Sequence, residues 1–178
     1  MPSLDGKKIL YIIAQRNFRD EEFSIPKQML EKEGARVTVA SETTEEARGM
    51  LGLRVKPDIS IIEANPNNFD ALIIAGGSGS PKLADLPEVL NLIRRFNSQN
   101  KVIAAICLAP YILARAGILR ERTVTAFPED FVLTELKRMG AVYDSGPVVV
   151  DNNIITADGP QSAREFGEQI AKVLSEKA

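Results

Sequence analysis

Histidine and tryptophan are absent from the 178 residues, and cysteine occurs once, as Cys107. Without histidine the chain cannot assemble a Ser-His or Cys-His nucleophile pair, or a His-ligated zinc centre, from its own residues. One cysteine also excludes an internal disulfide, a cysteine-cluster zinc site and an iron–sulfur site within a single chain. The acidic residues are scattered along apparent helix faces rather than spaced as ligands, so neither a metal nor a cofactor is expected. No uninterrupted apolar stretch reaches the roughly 18 residues that a membrane span needs, and Met1 to Lys8 contains no signal-type apolar core. The chain is therefore expected to be soluble and untargeted. Basic runs are equally lacking: the longest are the pairs Lys7-Lys8 and Arg94-Arg95, within a net charge of -2 from 22 basic and 24 acidic residues. Such a balance creates no polyanion-seeking field, and nucleic acid is not an expected partner. An unpaired cysteine fits a reducing compartment, which makes the cytoplasm the expected location.

What is present is enough hydrophobic material, 44% of the residues, to bury a core in one domain covering residues 1–178. Lys7 to Ala14 is a mostly apolar, Ile-rich run too short for a stable helix, which suits a strand covered on both faces. Comparable runs recur at Arg36 to Ala40, Asp70 to Ala75, Val102 to Ile106 and Thr123 to Ala126. Between them apolar residues step by three or four: Val89, Ile93 and Phe96; Val132, Leu136 and Met139; Ala163, Phe166, Ile170 and Val173. Strands alternating with helices predict an α/β fold with a mostly parallel sheet and helices on both faces. Leu53 to Ile62 and Val148 to Ala157 read instead as hairpin-type pairs, with turn residues at Pro57-Asp58 and at Asp151-Asn152-Asn153. The first helix could be capped by Asp20, which leaves Pro26 inside it and implies a kink, or it could begin near Ser24.

Cys107 directly follows the apolar strand Val102 to Ile106 and precedes the helical pattern Tyr111 to Ala116. Two residues either side stand Ala105 and Ala109, the small side chains that a sharp strand-to-helix turn around a nucleophile requires. A helix N-terminus aimed at the sulfur would favour thiolate and hold its pKa at roughly 5 to 7. The bland alternative is a buried cysteine acting as a small hydrophobe. Gly76-Gly77-Ser78-Gly79 follows the strand Asp70 to Ala75 and so belongs at the same sheet edge. Its backbone could approach a reacting atom closely, and a Gly amide with that of Leu108 could bind an oxyanion; the alternative is an ordinary turn. The spacing matches neither a dinucleotide fingerprint nor a P-loop. Glu22, just beyond the first strand, is the candidate proton partner.

These residues occur together in an order that resembles the ThiJ/PfpI superfamily, which includes the parkinsonism-associated protein deglycase and the archaeal intracellular proteases. The resemblance runs from Lys8 to Leu174 and is carried by Ala104-Ala105-Ile106-Cys107 with Pro110, by Ile74-Ala75-Gly76-Gly77, by Glu22 with Ile25-Pro26, and by Gly159-Pro160 leading to Phe166. It implies a flavodoxin-like three-layer sandwich, a reactive Cys107, a protonated Glu22 hydrogen-bonded to it, backbone donors at Gly76, Gly77 and Leu108, and a homodimer or larger homo-oligomer. Protease-like and glyoxalase-like members commonly carry histidine directly after the cysteine, where this chain has Leu108. That departure lowers the peptidase reading. It leaves an enzyme acting on small reactive carbonyls or their adducts, with a non-catalytic protein whose cysteine is oxidised as the rival.

Overall fold

The computed structural model describes residues 2–177. In chain order the elements are β1 (Lys8–Ile12), β2 (Arg16–Phe18), α1 (Asp20–Lys32), β3 (Arg36–Ser41), β4 (Ala47–Gly49), β5 (Arg54–Val55), β6 (Ile59–Ser60), β7 (Ala71–Ile74), α2 (Pro87–Ser98), β8 (Val102–Ile106), α3 (Pro110–Arg115), β9 (Thr123–Val124), α4 (Asp130–Arg138), β10 (Val142–Tyr143), β11 (Val148–Asp151), β12 (Ile154–Ala157) and α5 (Ala163–Ser175).

Seven strands form the central sheet in the order β11-β12-β8-β7-β1-β3-β6. All neighbours are parallel except β11 and β12, which form the hairpin expected for Val148 to Ala157. From β1 the chain steps to β3 on one side, whereas from β7 it steps to β8 on the other. Right-handed crossovers in opposite directions place α1 and α2 on opposite faces of the sheet. The last helix, α5, packs on α1, and α3 packs with α2. The result is the three-layer α/β sandwich that the alternating pattern predicts, and both faces of β7 and β8 are fully buried. The reversal in strand order opens a crevice at the carboxyl edge of the sheet, between the loops that follow β1 and β7.

Three local expectations are corrected. Leu53 to Ile62 does not fold back on itself: β5 pairs antiparallel with β4, and β6 joins the sheet parallel to β3. Between them Asp58 anchors the chain to β3, its carboxylate and its amide engaging the amide and the carbonyl of Val39, both at 2.8 Å. Thr123–Val124 leaves the central sheet and pairs with β10 instead. Asp20 lies inside α1 and does not cap it. Its carboxylate accepts the amides of Leu51 at 3.0 Å and Leu53 at 2.9 Å, so its charge holds the β4–β5 turn. The helix does begin before Ser24 and carries Pro26 within it.

Candidate active site

Cys107 joins β8 to α3 with φ at 64°, a left-handed conformation that costs a non-glycine residue about 1–2 kcal/mol. The surroundings enforce it. The Cys107 amide donates to the Ala157 carbonyl at the end of β12, and its carbonyl accepts the amide of Phe127, each at 2.8 Å. Ala105 and Ala109 are fully buried beside the turn, as the tight geometry demands. The amides of Gly77 and Leu108 are directed at the sulfur and favour its charged form.

The glycine loop after β7 reaches the same point. A Cβ on Gly76 would lie 2.6 Å from Glu22 Oε1, 2.6 Å from the Ile106 carbonyl oxygen and 2.8 Å from Cys107 Cβ, so this residue is the wedge between the carboxyl and the cysteine. Gly77 has φ at 106°, and a Cβ there would meet the Arg19 amide at 2.4 Å. Of the three amides expected to serve an oxyanion, two face the sulfur, while the Gly76 amide is taken by Glu22 Oε1 at 3.0 Å. The Gly76 carbonyl accepts the Arg19 amide at 2.9 Å, tying the loop to the start of α1.

Glu22 is fully buried. Its Oε2 has no hydrogen-bond partner among the described residues, and the carboxyl as a whole interacts with the Cys107 thiol. Burial raises the Glu22 pKa to about 7; the contacts with Cys107 and Gly76 and the charge on Arg19 only partly offset this. Cys107 moves the same way. Its residue is only 8% exposed, and burial, followed by the charge of Glu22 and the hydrogen bond with it, pushes the thiol well above its ordinary range despite the two amides. The depressed thiol pKa expected from the sequence is thereby reversed in direction, because the small flanking alanines let neighbouring chain close over the sulfur rather than leave it open. Burial raises both acids, and the charge of Glu22 raises the thiol further, so the pair holds a single negative charge once Glu22 has ionised.

Sequence reasoning did not single out two residues that shape this site. Arg19 forms a two-pronged ion pair with Glu21, with Nη2 to Oε2 at 3.0 Å, and its positive charge favours ionisation of Glu22. Tyr11, buried in β1, donates its hydroxyl to the Glu22 carbonyl. A signal for the second was present: Pro26 stands four residues after Glu22 and so deprives that carbonyl of its helical donor. Among the described residues no cluster of His, Cys, Asp and Glu is placed to hold a metal.

A three-layer sandwich with cysteine at a strained strand-to-helix turn and a buried carboxyl beside it defines a class of cysteine-centred α/β proteins. Within that class the chain belongs to the DJ-1/PfpI family, matching its pattern over residues 7–173. An uncharacterised protein of Methanocaldococcus jannaschii is 40% identical over 173 residues, covering 97% of this chain and 84% of that protein. A Pyrococcus horikoshii protein named a deglycase is 30% identical over 167 residues, covering 94% and 99%. The crystal structure of a ThiJ/PfpI domain protein from Brachyspira murdochii superposes with a TM-score of 0.92 at 32% identity, over 97% of this chain and all of that one.

Proposed function

We propose that this protein is a cysteine-dependent enzyme acting on small reactive carbonyl compounds such as methylglyoxal, or on their adducts with amines and thiols. The observation that carries the reading is the Glu22–Cys107 pair, buried together around Gly76 with the amides of Gly77 and Leu108 facing the sulfur. Transfer of the thiol proton to the ionised Glu22 carboxyl moves the pair's one charge onto the sulfur, where the amides of Gly77 and Leu108 favour it. In that form Cys107 Sγ adds to the carbonyl carbon, the π electrons move to oxygen, and the Glu22 proton neutralises it. A hemithioacetal forms on Cys107 and Glu22 becomes carboxylate, ready to receive a proton in the return step. No histidine is needed for this addition. Amide cleavage, in contrast, requires an acid placed for a poor leaving group, and Leu108 supplies none. The name of the Pyrococcus horikoshii relative points the same way.

Methylglyoxal consumption by the native protein, by Cys107→Ser and by Glu22→Gln is the test, with a fluorogenic peptide as the counter-assay. The reading requires carbonyl turnover that the serine variant loses by at least ~100-fold. Peptide cleavage without carbonyl turnover, or carbonyl loss unchanged in Cys107→Ser, overturns it. The proposal extends to a homodimer or larger homo-oligomer in the cytoplasm, and no described helix is long and apolar enough to cross a membrane. Sedimentation equilibrium returning only the 19.5 kDa mass of one chain would remove the assembly from the proposal.

A further inference from the structure

Helix α1 carries a defect at the residue the site depends on. In a regular helix the amide of residue 26 donates to the carbonyl of residue 22. Pro26 has no amide hydrogen, and its ring crowds that carbonyl, so the Glu22 carbonyl loses its helical partner. Glu22 is fully buried, and a buried carbonyl without a donor is costly. The missing donor comes from another element. Tyr11, fully buried in the middle of β1, extends its hydroxyl to the Glu22 carbonyl oxygen at 2.5 Å. Its ring is held edge-on to Phe23 with centroids 5.2 Å apart, and Phe23 stands edge-on to Phe18 at 5.7 Å. The hydroxyl therefore cannot swing away without disturbing this aromatic row.

We propose that Tyr11 is a positioning residue: by replacing the amide that Pro26 lacks, its hydroxyl fixes the backbone of Glu22 and so the placement of the Glu22 carboxyl against Gly76 and Cys107. The inference rests on the reading of Glu22 as the proton partner of Cys107. It goes beyond that reading by assigning the support to the central strand, which is paired with β3 and β7 on either side and cannot shift independently. A run of contacts leads from the sheet to the sulfur: the Tyr11 hydroxyl, the Glu22 carbonyl, the Glu22 carboxyl, and then the Gly76 amide and Cys107. Burial and the neighbouring Glu22 raise the Tyr11 pKa well above its ordinary value, so the hydroxyl remains a donor throughout the range in which the pair titrates.

A mutational cycle tests this, read out as the pH dependence of Cys107 alkylation by iodoacetamide and as thermal stability. Tyr11→Phe removes the donor; its rate near pH 7 should fall by roughly tenfold and the inflection near neutrality should flatten. Pro26→Ala supplies an amide to the same carbonyl and should stay within about twofold of the native rate. Tyr11→Phe in the Pro26→Ala background should then cost no more than about twofold, because the carbonyl retains a donor. Equal losses from Tyr11→Phe in the native and Pro26→Ala backgrounds overturn the proposal. So does a Tyr11→Phe protein that melts earlier yet keeps the native pH profile, the result expected if Tyr11 only packs. Should Tyr11→Phe fail to fold alone, the double variant decides: a folded protein with the native profile supports the proposal, and an unfolded one overturns it. Alkylation reads the cysteine without any carbonyl substrate, so absent turnover in the native protein would defeat the proposed function and not this inference. A native pH profile in Glu22→Gln would instead defeat the reading of Glu22 on which it rests.

Discussion

Glu22 holds its proton more tightly in the folded protein than a carboxyl does in the unfolded chain, with a pKa about 7 against an ordinary 4.5. The sign of the resulting pH dependence follows directly. The stability associated with the protonated form is fully present below the unfolded value and is lost as pH rises through the folded one. For a fully buried group the loss is on the order of 3 kcal/mol. Melting temperatures of the native protein should therefore fall between pH 5 and pH 8, while Glu22→Gln, which has no charge to bury, should give a flatter profile by circular dichroism. The glycines make a second comparison. Gly76→Ala would drive a methyl into Glu22, the Ile106 carbonyl and Cys107, two of them rigid, and should cost upwards of about 3 kcal/mol in urea unfolding. Gly167→Ala, also buried, meets first the flexible end of Met29, with Sδ at 2.9 Å, and should cost less than half as much.

The elements divide by whether their partners lie nearby in sequence or far away. The strand runs at β1, β7 and β8, the turn at Cys107 and the glycine loop at Gly76-Gly77 are legible in the sequence because a buried parallel strand must be apolar and a tight turn must be flanked by small residues. The roles of Asp20, Tyr11 and the Pro57-Asp58 segment are not legible, because each depends on a partner in another element that no local pattern names. Asp20 looks like a helix cap since acidic residues favour helix starts, yet its two acceptor bonds go to amides more than thirty residues away. Asp20→Ala would leave the Leu51 and Leu53 amides without their acceptor and should cost about 2–4 kcal/mol. Hydrogen exchange should locate the damage, with those two amides exchanging faster while the middle of α1 stays protected.

At the scale of the molecule, the Glu22–Cys107 site and much of the structural support occupy opposite ends of the sheet. Asn153, just before β12, is fully buried at the amino end of β8 and β12. Its side chain joins Asn97 at 3.2 Å, the Lys101 carbonyl at 2.9 Å and Arg122 at 3.0 Å, while its own carbonyl accepts the amide of Ile103. Asn153→Ala should lower stability by about 2–3 kcal/mol through the three groups it strands. The pH profile of Cys107 alkylation should remain native in the same protein, which separates a weakened scaffold from a damaged site.

The left-handed backbone at Cys107 has a consequence for how such a protein would drift. Glycine is the residue this conformation suits best, and Cys107→Gly would relieve about 1–2 kcal/mol of strain against about 0.5–1 kcal/mol of added chain entropy in the unfolded state. The same change removes a buried thiol that is hydrogen-bonded with the Glu22 carboxyl, a loss that offsets the relief. A variant without the thiol can thus come close to the native protein in robustness, and a selection that rewards only soluble, heat-resistant protein would act weakly against the loss of Cys107.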